Sequence, residues 1–129
     1  MNRLSGTIAS MALICAGCAS SGPSPKSASS AYPTKTFVVV TNEHWLDVNV
    51  YALRGGVPFR LGTVRGLNSG RLSLPVALIE GGGSLRLLVD PIGSDDRYAT
   101  ESIAIRPGQW IDFRVANMLT VSSYSVWSR

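Results

Sequence analysis

The chain has 129 residues, with 12 Lys+Arg against 8 Asp+Glu and a formal net charge of +4. This length suffices for one globular domain with a tail and excludes two domains of ordinary size. The basic residues are scattered among the acidic ones without a run of like charge, which excludes the clustered basic stripe of a nucleic-acid-binding protein. No nucleic-acid partner is therefore expected.

The first 17 residues are organised like an export signal. Arg3 precedes a run of apolar and small residues from Leu4 to Ala16. A run of roughly 13 residues is too short for a transmembrane helix, which needs about 20. It ends in Ala16-Gly17-Cys18, where the small residues let an extended backbone fit a narrow peptidase site.

Cys15-Ala16-Gly17-Cys18 resembles the cleavage motif of bacterial lipoproteins, although Cys15 stands where that family usually has leucine. The resemblance implies that residues 1–17 are removed as a signal peptide and that Cys18 becomes an N-terminus carrying fatty-acyl chains such as palmitate. It also implies a lipid-anchored location in the bacterial cell envelope, with the membrane as a partner through the lipid. Because Ala19 replaces the aspartate of a retention signal, the outer membrane is expected where the host has two membranes. The alternative is an ordinary signal peptide with an incidental cysteine.

Residues 18–35 are rich in Ser, Pro and Ala, and Tyr32 is their one aromatic residue. Such a composition buries too little apolar surface to offset the entropy of ordering, so we predict a disordered tether spanning roughly 20–25 Å. The alternative is that part of it near Tyr32 pairs as a first strand. No cysteine pair remains for a disulfide after Cys18 is acylated, so the domain over 36–129 must rely on its apolar core.

From Thr36 onwards the sequence alternates with the period of two that is typical of strands. Gly55-Gly56 favours a tight hairpin because both residues readily adopt positive φ, and Pro107-Gly108 fits the centre of a type II turn. Pro75 ends one strand and favours a helical turn over 76–80. The predicted strands cover residues 36–41, 46–52, 59–64, 71–74, 84–90, 98–106, 109–116 and 119–127.

These short strands, with almost no segment of helical period, predict an all-β domain. We expect an immunoglobulin-like antiparallel β-sandwich of about 7–8 strands. The alternative is a small β-barrel, which tolerates the interruption between Pro75 and Gly83 less well because its ladders must be continuous. The alternation directs the following side chains into the core: Val39, Leu46, Val48, Val50, Leu61, Leu85, Leu87, Val89, Ile103, Ile105, Ile111, Phe113 and Val115.

The predicted domain offers little for catalysis. It has no cysteine and a single histidine, His44, so a serine nucleophile would need that residue as its base. Ser69 stands in a glycine-bounded loop, one place later than the serine of a nucleophile elbow. We interpret His44 as an exposed turn residue and expect neither enzymatic activity nor a cofactor.

Three carboxylates, Asp90, Asp95 and Asp96, crowd one predicted loop and are weak candidates for calcium. Their spacing matches no calcium-binding loop, and Arg97 adjoins them as a counter-charge. We therefore interpret the cluster as a solvated acidic loop and expect no metal site.

Aromatic and arginine side chains on the predicted outer surface are the remaining feature. If Ile111 and Phe113 face inward, Trp110 and Arg114 face outward, and the same alternation turns Tyr51 outward. Tryptophan and arginine are enriched in binding hot spots, so Tyr51, Trp110 and Arg114 are candidates for contacting a partner. The alternative is that a loop or the tether covers them, or that Trp110 caps the core.

The sequence thus favours a lipid-anchored envelope lipoprotein that presents its sandwich as a binding or assembly module, with an envelope protein as the possible partner. A purely structural envelope spacer without a dedicated ligand is the first alternative. An envelope enzyme is the second, and the poor set of catalytic candidates disfavours it.

Overall fold

The structure, a computed structural model, describes residues 35–128. The predicted signal peptide, Cys18 and most of the predicted tether lie outside the described residues. Over 35–128, no helix is long and apolar enough to cross a membrane. The described residues form nine strands, in chain order: β1 (Thr36–Asn42), β2 (Val48–Arg54), β3 (Val57–Val64), β4 (Ser69–Leu74), β5 (Gly83–Pro91), β6 (Tyr98–Ala99), β7 (Ile103–Ile105), β8 (Trp110–Val115) and β9 (Ser123–Trp127).

The strands form two sheets that are not closed into a barrel, so the prediction of an all-β sandwich is confirmed. The first sheet has the strand order β4-β1-β8-β9. The second sheet has the order β3-β2-β5-β6, and β7 also pairs with β5. Every pair is antiparallel except β1 and β8, which run parallel. A parallel pair is possible here because the chain reaches β8 by crossing from the second sheet, not through a hairpin.

The core lies between the sheets and contains ten of the thirteen predicted inward side chains. The exceptions are Val39, Leu46 and Leu61, which are half-buried. In β1 the buried residues are Val38 and Val40, so the prediction for Val39 is wrong by one position. Residues 37–40 are all apolar, so this strand has no alternation from which its inward face can be read. Leu46 precedes β2, and Leu61 lies at the irregularity in the pairing of β2 with β3.

Two of the predicted turns have the expected backbone. Gly55 and Gly56 adopt φ values of 57° and 80° between β2 and β3, as a two-residue hairpin of the primed type requires. Gly108 has φ 87°, and the Gln109 N–H donates to the Arg106 carbonyl at 3.1 Å. This second turn connects the two sheets instead of closing a hairpin. A 3₁₀ turn at Val76–Leu78 follows Pro75, close to the predicted helical turn.

The predicted strand over 98–106 is interrupted at Thr100, which separates β6 from β7. Thr100 is completely buried. Its N–H donates to the Leu87 carbonyl at 2.8 Å, and its hydroxyl oxygen accepts the Leu87 N–H at 2.9 Å. A side-chain oxygen thus replaces the backbone acceptor that a regular ladder would supply. The predicted strand over 119–127 is also shortened, because Leu119–Val121 forms a 3₁₀ turn before β9.

Replacing this hydroxyl by a methyl group in Thr100→Val keeps the size of the side chain but leaves the buried Leu87 N–H without its acceptor. We expect the free energy of unfolding to fall by about 1–3 kcal/mol, the usual cost of an unsatisfied buried donor. Urea unfolding measures this loss. Thr63→Val is the control, because the Thr63 hydroxyl bonds only to Asn49 and Arg60, in solvent-exposed contacts where water replaces it; stability should change by less than about 0.5 kcal/mol. Equal losses in the two variants would contradict the role assigned to Thr100.

The loop between β1 and β2 is fixed against the end of β3 by the buried side chain of Asn42. Its amide nitrogen donates to the carbonyls of Leu46 and Arg65 at 3.0 Å each, and its oxygen accepts the His44 N–H at 3.0 Å. Gly66 lies against the same loop, and its N–H donates to an Asp47 carboxylate oxygen at 2.9 Å. These bonds hold two chain segments together at one end of the sandwich.

Candidate binding face

The three predicted contact residues do not share one surface. Trp110 and Arg114 both lie on β8, in the first sheet, with side chains on the outer face. Tyr51 lies on β2, in the second sheet, and is directed to the opposite outer face. Tyr51 therefore faces outward as predicted, but it does not stand beside Trp110 and Arg114. Alternation along a strand tells inside from outside, but it does not tell which sheet the strand joins.

The outer face of the first sheet carries an aromatic row that crosses the strands. The pairing register places Phe37 beside Trp110, and Trp110 beside Trp127. Neighbouring side chains in such a row are about 4.5–5.5 Å apart at Cβ, so they form a continuous surface. Phe37 and Trp127 were not among the predicted contact residues. Their membership could not be read from the sequence, because it depends on the register in which β8 pairs with β1 and with β9.

Arg71 of β4 packs on this aromatic row. Its guanidinium carbon lies 4.8 Å from the ring centroid of Trp110 and 5.4 Å from that of Phe37. The two rings meet edge to face, with centroids 5.5 Å apart and planes at 76°. Cation–π and edge-to-face contacts of this kind restrict the rotamers of all three side chains. One end of the row is therefore preorganised by contacts within the sheet.

The other end of the row is open. The Trp127 side chain is 62% exposed, and its indole N–H donates to the Ser125 hydroxyl at 2.9 Å. Between it and Arg71 lies a groove of about 410 Å³. We call this site the aromatic groove; its lining residues are Val39, Arg71, Trp110, Ile111, Asp112 and Trp127. It combines apolar and aromatic surface with one guanidinium and one carboxylate, a composition suited to binding.

Arg114 lies on the same face as the aromatic groove and forms an ion pair with Glu43. Its Nε is 2.7 Å from a carboxylate oxygen of Glu43, and both side chains are substantially exposed. The hydrogen bond from Arg114 lowers the pKa of the Glu43 carboxyl, and the same bond raises the pKa of Arg114. A partner that uses the Arg114 guanidinium must therefore compete with Glu43 or bind alongside it.

The acidic loop is not assembled into a metal site. Over residues 35–128, no three His, Cys, Asp or Glu side chains lie close enough to hold a metal ion. Asp90 instead accepts a 3.0 Å hydrogen bond from Arg97, the counter-charge that the sequence suggested. The structure does not bring Asp95 and Asp96 together with Asp90 around one point.

His44 and Ser69 have separate structural roles. The expectation of an exposed His44 is wrong, because the side chain is only 8% exposed and its Nδ1 accepts the Leu46 N–H at 3.0 Å. The imidazole also stacks on Trp45, with ring centroids 5.9 Å apart. Ser69 lies in β4, where its hydroxyl is 3.5 Å from that of Thr41. No hydrogen bond links His44 to Ser69 in the described part of the chain.

A second exposed apolar feature escaped the sequence analysis. Trp45 and Leu67 are about two-thirds exposed, at 68% and 72%, in loops at one end of the sandwich. The Leu67 N–H donates to the His44 carbonyl at 3.0 Å, and Leu67 has a φ of 57°. That value lies in the left-handed region, which residues other than glycine seldom adopt. The two side chains therefore project from loops that hydrogen bonds hold in place.

No protein-family model and no curated protein matches this chain. Among solved structures, it is similar to one described as an NMR structure of a protein from Eubacterium rectale. The sequence identity is 10% and the TM-score 0.46, with 77% of this chain and 94% of the other covered. At this level the similarity carries no information about activity or partners.

Proposed function

We propose that this protein is a lipid-anchored lipoprotein of the bacterial cell envelope whose β-sandwich is a binding module, and that the aromatic groove binds an envelope protein. The observation that carries the binding role is the aromatic row beside an open groove on the outer face of the first sheet. The anchor rests on the resemblance of residues 15–18 to the lipoprotein motif. Proposing the outer membrane as its location rests on Ala19 following the modified cysteine.

The energetic centre of the groove is expected at Trp127. Tryptophan buries a large apolar area on binding while only two side-chain torsions are frozen. Trp110 and Arg71 already contact each other, so they lose little conformational entropy when a partner covers them. An exposed aromatic residue beside preorganised neighbours matches the composition of known hot spots in protein interfaces.

Binding on this face must use side chains. The central strands β1 and β8 each pair with a neighbour on both sides, so their backbone groups are engaged within the sheet. Aromatic surface, the Arg71 guanidinium and the Asp112 carboxylate are what remains for a partner. A protein surface with an apolar centre and a polar rim fits this arrangement.

Photo-cross-linking in intact cells tests the proposal directly. A photoreactive amino acid at position 112, in the groove, should give a discrete adduct with an envelope protein. The same residue at position 60, on the outer face of the second sheet, is the control and should not give that adduct. The same adduct from both positions, or none from position 112, would favour the spacer alternative.

Trp127→Ala should weaken the affinity for that cross-linked protein by about 10- to 100-fold, as expected for a hot-spot tryptophan. The melting temperature should change little because most of the side chain is in solvent. The matched control is Trp45→Ala, which removes an equally exposed tryptophan at the loop end of the sandwich and should leave affinity unchanged. Equal effects of the two substitutions would argue against a site confined to the groove.

A further inference from the structure

The lateral edges of the two sheets differ in how well they are protected against pairing with another strand. Edge strands are usually blunted by proline, by bulges, by charge, by short length or by packing against another element. β3 contains Pro58 and an irregular register opposite β2. β6 and β7 are only two and three residues long.

The edge formed by β4 is packed against β3. A Cβ atom added at Gly62 would lie 2.8 Å from Leu72, and one added at Gly70 would lie 3.1 Å from Val64. These glycines therefore allow a close approach of the two edge strands, and this side of the sandwich is closed. Arg71 places a charge in the middle of β4 as well.

β9 has none of these protections. Its five residues, Ser123–Trp127, include no charged residue and no proline, and in residues 35–128 it pairs only with β8. In an antiparallel pair, alternate residues of the edge strand direct their N–H and C=O groups away from the partner strand. β9 therefore presents an uncharged row of backbone donors and acceptors along an edge that no further strand of residues 35–128 covers.

We propose that the edge of β9 pairs with β9 of a second copy of this chain, in antiparallel orientation about a two-fold axis at Ser125. This register overlaps all five residues and keeps inward residues opposite inward residues. It places Tyr124 of each copy opposite Val126 of the other. Both side chains are half-buried and pack against the core, and each would gain cover on its open side.

The strand is self-complementary in the way that a symmetric dimer requires. Each contact is repeated by symmetry, so a single uncharged strand supplies both halves of the interface. The pairing joins the two first sheets into one continuous eight-stranded sheet. It also places the two aromatic grooves on the same face of that sheet. The proposed dimer does not depend on whether the groove binds a partner.

The first test is the mass of the full-length protein, extracted from cells in detergent and measured by analytical ultracentrifugation. The wild-type chain should be dimeric, and Ser125→Lys should weaken dimerisation at least about tenfold because two like charges would meet at the axis. Within each copy the introduced ammonium group lies opposite Asp112 of β8, an acidic residue, so the substitution is compatible with the pairing of β8 and β9. Ser73→Lys, at an exposed position on the opposite edge strand of the same sheet, is the matched control and should remain dimeric.

The second test locates the axis. In Ser125→Cys, the two introduced thiols would stand opposite each other at the Cα separation of a strand pair, about 4.5–5.5 Å, which lies within the range that a disulfide bridges. Mild oxidation of intact cells should yield a covalent homodimer from Ser125→Cys and none from Ser73→Cys. A monomeric wild-type protein, a dimer that persists in Ser125→Lys, or a cross-link from position 125 to a different protein would overturn the proposal. Because Ser125→Cys barely changes side-chain volume, the test remains decisive even if Ser125→Lys fails to fold.

Discussion

Gly66→Ala should destabilise the domain by about 2–4 kcal/mol, more than most surface substitutions in this chain. A Cβ atom at this position would overlap the backbone carbonyl oxygen of Trp45. The carbonyl shares a planar peptide unit with the Leu46 N–H, so swinging it away would disturb the 3.0 Å hydrogen bond from that N–H to His44 Nδ1. For a domain of this size, the melting temperature should fall by at least about 10 °C.

Thermal unfolding of residues 36–129, followed by circular dichroism, measures this effect. That fragment should fold without the N-terminal segment, giving a β-type spectrum and a cooperative melt. Gly83→Ala is the matched control, because the atoms nearest to a Cβ atom there belong to the Arg54 side chain, at an ordinary 3.5 Å or more. If the two alanine variants have the same melting temperature, the loop is able to rearrange and the close approach at Gly66 has no structural importance.

Cys18→Ser should abolish fatty-acid labelling of the protein and cause the uncleaved precursor to accumulate. The proposed lipid is attached through the cysteine thiol, which a hydroxyl does not replace. Each buried methylene of an acyl chain contributes about 0.8 kcal/mol, so the multiply acylated N-terminus that we propose would hold the wild-type protein on the membrane. Metabolic labelling with a fatty acid, followed by membrane fractionation, measures both outcomes.

Cys15→Ser is the matched control for this experiment. The bulky residues Leu13 and Ile14 stand before Cys15, whereas the small residues Ala16 and Gly17 stand before Cys18. We therefore expect the Cys15 variant to be labelled and processed normally. Retained label in Cys18→Ser would place the lipid on another residue and contradict the assignment to Cys18. Absence of label from the wild-type protein would leave an ordinary signal peptide as the explanation.

The candidate binding face was only partly predictable from the sequence. The outward orientation of Trp110 and Arg114 followed from the alternation of Ile111, Phe113 and Val115 along β8. The contributions of Phe37, Arg71 and Trp127 did not, because they come from three other strands. Each joins this face through the pairing of strands: Phe37 lies beside Trp110, Trp127 lies on the other side of Trp110, and Arg71 lies beside Val39.

The sequence by itself determined the local features of this protein. These features depend only on residues that are neighbours in the chain: the period of two, the positive-φ glycines of the β2–β3 hairpin and the turn at Pro107-Gly108. The positions of the strands and most of the inward side chains could therefore be derived from the sequence. The lipoprotein motif is likewise a local signal, and it remains a prediction.

The tertiary structure alone decided how the strands associate. Backbone hydrogen bonds between strands are the same for every residue type, so a sequence pattern does not specify which strands pair or in which direction. The parallel pairing of β1 with β8, the separation of Tyr51 from Trp110 and the burial of His44 all follow from that association. They arise because the two sheets must cover one shared apolar core, a condition that involves the whole domain at once.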